Sequence, residues 1–245
     1  MVLPLFHHDG AATATAGASL TLTGAEGKHA VAVRRLRVGE GVQVSDGNGC
    51  RVIGVVKTVD GNALSFTVSD VLMEKHPSPA LVLVQALAKG DRDELAVQAA
   101  TELGVSRIVP WQADRSVSRW DGPKVAKGVE RWQTIVAEAA KQALRAFTPE
   151  VSQPLTSNQL VGQVSGFAKF LVLDPTAGVA LGQVELPSHG EVAIAVGPEG
   201  GISDSELERL AEAGAVRVRL GAEILRTSTA GVAAVAVLQS NLGRW

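Results

Sequence analysis

One cysteine, Cys50, among 245 residues leaves no partner for an intramolecular disulfide, so the fold rests on its core and suits a reducing compartment. No apolar run is long enough to span a bilayer: "GVAAVAVL" at 231–238 is far short of the roughly 20 residues a spanning helix needs. The start "MVLPLFHHDG" has no Lys or Arg ahead of an apolar stretch and does not read as a signal peptide, so a cytoplasmic location is expected. Neither sign of charge dominates: 23 Lys and Arg against 25 Asp and Glu give a net charge of −2, which alone points to no nucleic-acid partner. There is no internal repeat, and the only biased tract, "AATATAGAS", reads as a loop.

What is present is an ordinary globular composition, 46% apolar and 20% charged, in a chain long enough for one large domain or two modest ones. Charge is unevenly spread. Residues 1–75 hold seven basic and seven acidic groups, residues 89–145 ten and eight, and residues 146–245 six and ten. The basic side chains thus concentrate in the first two thirds, an arrangement that permits an anionic polymer to lie there.

The first 73 residues have the rhythm of a small β-barrel. "SLTLTG" and "ALSFTVSDV" alternate apolar and polar, and "VQVSDGNGCRVIGVV" reads as a hairpin around Asp46-Gly47-Asn48-Gly49. The one helical candidate is "EGKHAVAVRRLR", 26–37. "MEKHPSPA" supplies a linker over 74–80. Residues 81–245 then alternate strands and helices, which predicts a mostly parallel α/β sheet. "ALVLVQALA", "SRIVPWQ", "AKFLVLD", "EVAIAVG" and "VRVRLG" read as strands. "DRDELAVQAATELG", "PKVAKGVERWQTIVAEAAKQALR", "SDSELERLAEAG" and "TSTAGVAAVAVLQSN" read as helices. Asp91 with Glu94, and Ser203 with Glu206, have capping-box spacing, Gly104 closes the first helix, and Thr227, Ser228 and Thr229 offer a cap to the last.

Ligands of such sheets bind at the carboxyl ends of the strands. Three strand ends carry backbone-rich loops: "LDPTAG" (173–178), "GPEGG" (197–201) and "LGAEILRTSTAG" (220–231). None contains the Gly-Lys-Ser/Thr of a P-loop or a G-x-G-x-x-G, and Glu199 argues against a phosphate cradle. The pattern suits a ligand that is neutral and flat at one end, such as an adenosine; the alternative is a turn that merely requires glycine.

"VGPEGGISDSELE" with "LGAEILRTSTA" resembles the C-terminal signature of the SPOUT-class 16S ribosomal RNA uridine-N3 methyltransferases. "GKHAVAVRRLRVGEGVQVSDG" resembles that family's N-terminal PUA-like RNA-binding module, and "KGDRDELAVQAATELGV" and "ERWQTIVAEAAKQALRAFTPEV" resemble helices of its catalytic domain. The resemblance implies a PUA-like β-barrel over 1–73 and, over 81–245, a trefoil-knotted domain that binds S-adenosyl-L-methionine and forms a homodimer. Leu173, Gly197, Pro198, Glu199, Gly200, Gly201, Leu220, Gly221, Leu225, Arg226, Thr227, Thr229 and Ala230 would hold the cofactor. The chain departs from the family at Ala222-Glu223, often Pro-Arg there, at Ser228, often Glu, and at Leu5-Phe6, where an arginine precedes the phenylalanine.

The implied chemistry is methyl transfer to N3 of a uridine in 16S ribosomal RNA of the small subunit. Loss of the N3 proton puts charge on the flanking carbonyls, for which Arg226, Arg92 and Lys89 are candidate donors. Arg226 is the catalytic candidate, an ion pair with Glu223 being its structural alternative, and the base is unassigned; Glu94 is better suited to capping or packing. Lys28, Arg34, Arg35 and Arg37, with Lys28 and Arg35 seven apart on one helix face, form the best phosphate-binding patch, with Arg115 and Arg145 as further RNA contacts. Arg119, Lys124 and Lys127 read as surface charge. His7-His8 lack neighbours at metal-ligand spacing, so no metal is expected; Trp111, Trp120 and Trp132 suit packing better than base stacking; Cys50 has no basic partner to make it a nucleophile. Two rival functions stay open: the same chemistry on another RNA such as transfer RNA, and a non-catalytic RNA-binding assembly factor.

Overall fold

Short strands joined by tight turns build the first of two compact units in the computed structural model, which describes residues 2–245. This unit takes the chain up to His76 and, from much later in sequence, Ala140–Thr148. Its elements are β1 (Leu5–His7), β2 (Ser19–Leu22), α1 (Gly24–Lys28), β3 (Gly41–Ser45), β4 (Cys50–Asp60) and β5 (Ala63–Met73). They form one sheet in the order β1-β3-β4-β5-β2, around a core that includes Phe6, Leu22, Val44, Val52 and Phe66. The β3–β4 hairpin turns where the sequence places it: Asp46 Oδ1 accepts the amides of Asn48 (2.8 Å) and Cys50 (3.0 Å), fixing the reversal.

The helix expected over 26–37 is much shorter. After α1 the chain continues as one wide π-turn, His29–Val33, and Arg35 then adopts a left-handed φ of 56° that no helix accommodates. Lys28 and Arg35 therefore do not share a helical face; Arg34, Arg35 and Arg37 lie on the exposed irregular segment that follows. Residues 140–148 are tied to this unit by backbone. Ala146 O accepts from Ser45 Oγ and from the Gly49 amide (both 3.0 Å), and Leu144 O accepts from Arg51 Nη2 at 2.8 Å.

The second unit comprises Pro77–Ala139 and Pro149–Trp245. It runs β6 (Ala80–Ala86), α2 (Arg92–Glu102), β7 (Arg107–Gln112), α3 (Pro123–Gln142), β8 (Glu150–Val151), β9 (Leu155–Thr156) and α4 (Ser157–Gln163). β10 (Lys169–Leu173), β11 (Glu191–Val196), α5 (Asp204–Glu212), β12 (Val216–Val218) and α6 (Thr227–Asn241) complete it. All strand pairs are parallel, in the order β12-β10-β11-β6-β7-β8, with β9 also on β7. Both faces are covered, which is why the central strands β6, β10 and β11 read as largely apolar runs. Leu81, Leu83 and Ile194 pack with Val97, Trp132 and Leu238 on the α2, α3 and α6 side. Val82, Val84 and Ala195 pack with Trp111, Leu160 and Leu207 on the α4 and α5 side.

One expected cap is absent: Asp91 makes no side-chain bond to α2, and Asp93 instead accepts the Ala88 amide at 3.0 Å. The last helix is likewise preceded by Arg226 with no side-chain cap, the hydroxyls of Thr227 and Thr229 being used elsewhere. Among the described residues no helix is long and apolar enough to cross a membrane.

Candidate active site

β12, β10 and β11 end side by side, and the segments leaving their carboxyl ends wall one cavity of about 490 Å³. Its size falls among small-molecule sites, which span about 300–1,000 Å³. The "GPEGG" loop can bend here because its glycines lack side chains. A Cβ on Gly197 would sit 2.7 Å from Ile202 Cγ1, and Gly201 has a φ of +73°.

The structure brings most of the expected cofactor residues to this wall. Leu173 comes from the end of β10, Gly197, Pro198, Glu199 and Gly201 follow β11, and Leu220, Gly221, Leu225 and Arg226 follow β12; Thr227 and Ala230 come from the start of α6. It does not bring Gly200 and Thr229. A Cβ on Gly200 would lie 3.2 Å from Arg115 Cβ, so this glycine admits the neighbouring 113–116 loop, whereas Thr229 Oγ1 donates to the Arg226 carbonyl at 3.2 Å. Asp174, Ile202 and Arg219 also line the cavity and were not singled out in sequence. Asp174 directly follows the apolar end of β10 and Arg219 directly follows β12, positions that mark strand-end loops.

Two carboxylates in the wall are fixed by donors. Glu199 Oε1 accepts from Arg92 Nη1 (2.8 Å) and from the Lys89 amide (3.0 Å). Burial pushes its carboxyl up, but its own amide, Arg92 and the Lys89 amide outweigh this and hold it below the usual range. Asp174, almost fully buried, accepts from Arg217 Nε at 2.6 Å and from the Thr176 amide at 2.9 Å; these donors likewise overcome burial and keep it ionised. Arg226 is different. Among the described residues no carboxylate pairs with its exposed guanidinium, so the expected alternative, an ion pair with Glu223, is not formed.

The remaining candidates separate by unit. In the second unit, Lys89 and Arg115 are exposed, and Arg115 Nη1 donates to the Gly200 carbonyl at 3.3 Å. Glu94 is engaged by Arg131, at 2.8 and 2.6 Å. Trp111 and Trp132 are core residues, with Trp120 edge-on to Trp132. In the first unit Lys28, Arg34, Arg35 and Arg37 are exposed, while Arg145 is half-buried and burial pushes its guanidinium down to about 10. Leu5 and Phe6 belong to the core of this unit, and among the described residues no three His, Cys, Asp or Glu side chains cluster as a metal site.

A doubly covered parallel sheet, a cavity walled by glycine-bearing loops at its carboxyl edge and a separate five-stranded β unit together define an RNA methyltransferase. The chain belongs to the family whose model is described as the RNA methyltransferase domain, matched over residues 74–239, with an RNA methyltransferase PUA domain matched over 22–69. It is similar to "Ribosomal RNA small subunit methyltransferase E" of Mycobacterium tuberculosis, at 39% identity over 100% of this chain and 94% of that protein. It is also similar to the Bacillus subtilis protein of the same name, at 32% over 90% and 89%. Among solved structures, the Neisseria gonorrhoeae protein of that name, bound to S-adenosyl methionine, superposes with a TM-score of 0.86 at 29% identity, with 98% of each chain covered.

Proposed function

We propose that this chain methylates N3 of a uridine in 16S ribosomal RNA, using S-adenosyl-L-methionine, as a cytoplasmic homodimer. The observation that carries the reading is the single cavity shared by the three strand-end loops, in a chain whose structural neighbour of the same fold was solved with that donor. The cavity fits the donor: Leu173, Val196, Ile202, Leu220 and Leu225 offer apolar walls for an adenine, and the loops offer backbone polar groups. When bound, the sulfonium supplies an already activated methyl group, so the protein's contribution is positioning.

In this reading residues 1–73, with 140–148 belonging to the same unit, bind RNA, 74–80 link, and the rest of 81–245 forms a SPOUT-type knotted domain with the cofactor site and dimer interface. Lys28, Arg34, Arg35 and Arg37, exposed on one segment of the PUA-like unit, supply phosphate contacts, joined by Lys89, Arg115 and Arg145. The substrate base enters unpaired or flipped. The unpaired Arg226 guanidinium at the cavity wall is the donor to the uridine carbonyls, favouring the N3 anion. Arg92 already gives one N–H to Glu199 and so serves first to hold the loop. The homodimer is what the family resemblance implies, and the second unit exposes Leu95 and Val117, apolar side chains that a second copy would cover.

The test is transfer of a tritiated methyl group to undermethylated small subunits, with the labelled nucleoside identified by mass spectrometry. Label in 3-methyluridine is expected, and Arg226→Ala should lower kcat by about 100-fold, as loss of one oxyanion donor does. Label confined to transfer RNA, or none, overturns the reading.

A further inference from the structure

Gln85 is the one polar residue in the apolar strand β6, and it is completely buried. In the sheet it pairs with Val196, which lines the cavity. Its Nε2 donates to the Ala86 carbonyl (3.1 Å) and to Thr227 Oγ1 (2.9 Å), and Thr227 Oγ1 in turn donates to the Gly197 carbonyl at 2.8 Å. Three elements, β6, α6 and β11, are thereby joined by one directed chain of bonds, ending on two residues of the cavity wall.

The other side of the same amide is unsatisfied: Gln85 Oε1 has no hydrogen-bond partner among the described residues. A buried acceptor left unpaired is costly, and an apolar side chain would avoid that cost. The donor side must therefore account for a glutamine here. A threonine hydroxyl rotates to suit its surroundings, and an N–H directed at its oxygen leaves its hydrogen to point at Gly197. The close approach this needs is supplied by Gly231, one turn into α6. A Cβ there would come within 3.0 Å of Leu83 Cδ1 and 3.2 Å of Val196 Cγ2.

We propose that Gln85 is a positioning residue for the methyl donor: acting through Thr227, it fixes the Gly197 carbonyl and the start of α6, and so the spacing of the two loops that grip the adenosyl group. The inference rests on reading the cavity as the S-adenosyl-L-methionine site. Gln85 and Thr227 act as one chain, so removing either should have the effect of removing both.

Calorimetric titration of the full-length protein with S-adenosyl-L-methionine tests this. Gln85→Met and Thr227→Val should each bind about tenfold more weakly than wild type, a change of ~1.4 kcal/mol. The double variant should be no weaker than either single one, and Thr227→Ser, which keeps the hydroxyl, should bind as wild type does. In methyl-transfer assays of Gln85→Met, a change at a residue outside the cavity lining, the KM for the donor should rise in the same proportion while kcat changes by less than about twofold, because no transition-state contact is lost. Thermal melting of the free protein identifies any variant that misfolds, and the Thr227→Val and Thr227→Ser pair decides the matter if Gln85→Met does not fold. Wild-type affinity in Gln85→Met or Thr227→Val, additive losses in the double variant, or weak binding by Thr227→Ser overturns the inference while the cofactor site stands. A wild-type protein that gives no heat with the donor overturns the cofactor reading itself and this inference with it.

Discussion

Glu206 shows how much one side chain can organise. No part of it reaches solvent, yet it accepts from Ser157 Oγ (2.5 Å), the Asp114 amide (2.8 Å) and the Ser203 amide (2.9 Å). Burial pushes its carboxyl up, but the Ser157 hydroxyl and the two amides outweigh this and hold it below its ordinary 4.5. A depressed carboxylate stabilises the fold fully above the unfolded-state value, and the contribution is lost as pH falls through the lower folded value. Glu206→Gln should therefore cost about 2 kcal/mol at pH 7, in the range for hydrogen bonds to a charged group. The urea midpoints of the two proteins should converge below pH 4.5; a gap constant from pH 7 to pH 3 would show that charge is not what holds these donors. Half of this role is legible in sequence, because Ser203 and Glu206 have the spacing of a capping box, and the box forms. The other half is not, since Asp114 and Ser157 lie 92 and 49 positions away. The cofactor candidates divide in the same way. Gly197 follows an apolar run and Leu220 a short strand, both at cavity-lining positions that the sequence marks, whereas Gln85 hides inside an apolar strand.

At the scale of elements, long periodic segments were readable and short ones were not. β8 and β9 have two residues each, too few to show a period, and the seven-residue α4 is too short for one as well, its signal in sequence being the capping-box spacing of Thr156 and Gln159, a box that forms. The helix at 26–37 fails for a different reason. Its apolar spacing is helical, but the chain widens into a π-turn and then reverses at Arg35. α1 itself is anchored at Gly27, where a Cβ would lie 2.2 Å from the Asn62 carbonyl oxygen and 2.7 Å from that of Leu22. Both are backbone atoms that cannot rotate away. Gly27→Ala should destabilise the first unit by about 3 kcal/mol, at the upper end of overpacking, and should be seen in circular dichroism melts as a lowered first transition. An unchanged melt would mean that α1 can lift off its neighbours without loss.

For the whole molecule, net charge is a poor guide, since the chain is slightly acidic while its exposed arginines gather on particular segments. If Lys28, Arg34, Arg35 and Arg37 contact phosphates, replacing all four by alanine should lower the slope of log affinity against log salt for RNA by about 3, at roughly 0.7–0.9 per contact. Filter binding at several salt concentrations measures this, and the affinity for S-adenosyl-L-methionine should not change. The parallel architecture was legible because strands covered on both faces have unbroken apolar runs. The strand order was not, because β10, β11 and β6 meet only through crossovers.

Residues 140–148 carry a consequence for anyone rearranging this chain. The first unit is discontinuous: Ser45, Gly49 and Arg51 bond to a stretch that sits 93 to 101 residues downstream in the gene. A fragment stopping at His76 is therefore expected to lack the backbone partners of Ser45, Gly49 and Arg51 and to give poorly dispersed amide resonances, where the same fragment with the 140–148 peptide fused back gives dispersed ones. Recombination at the proline-containing junction alone would export an incomplete cassette.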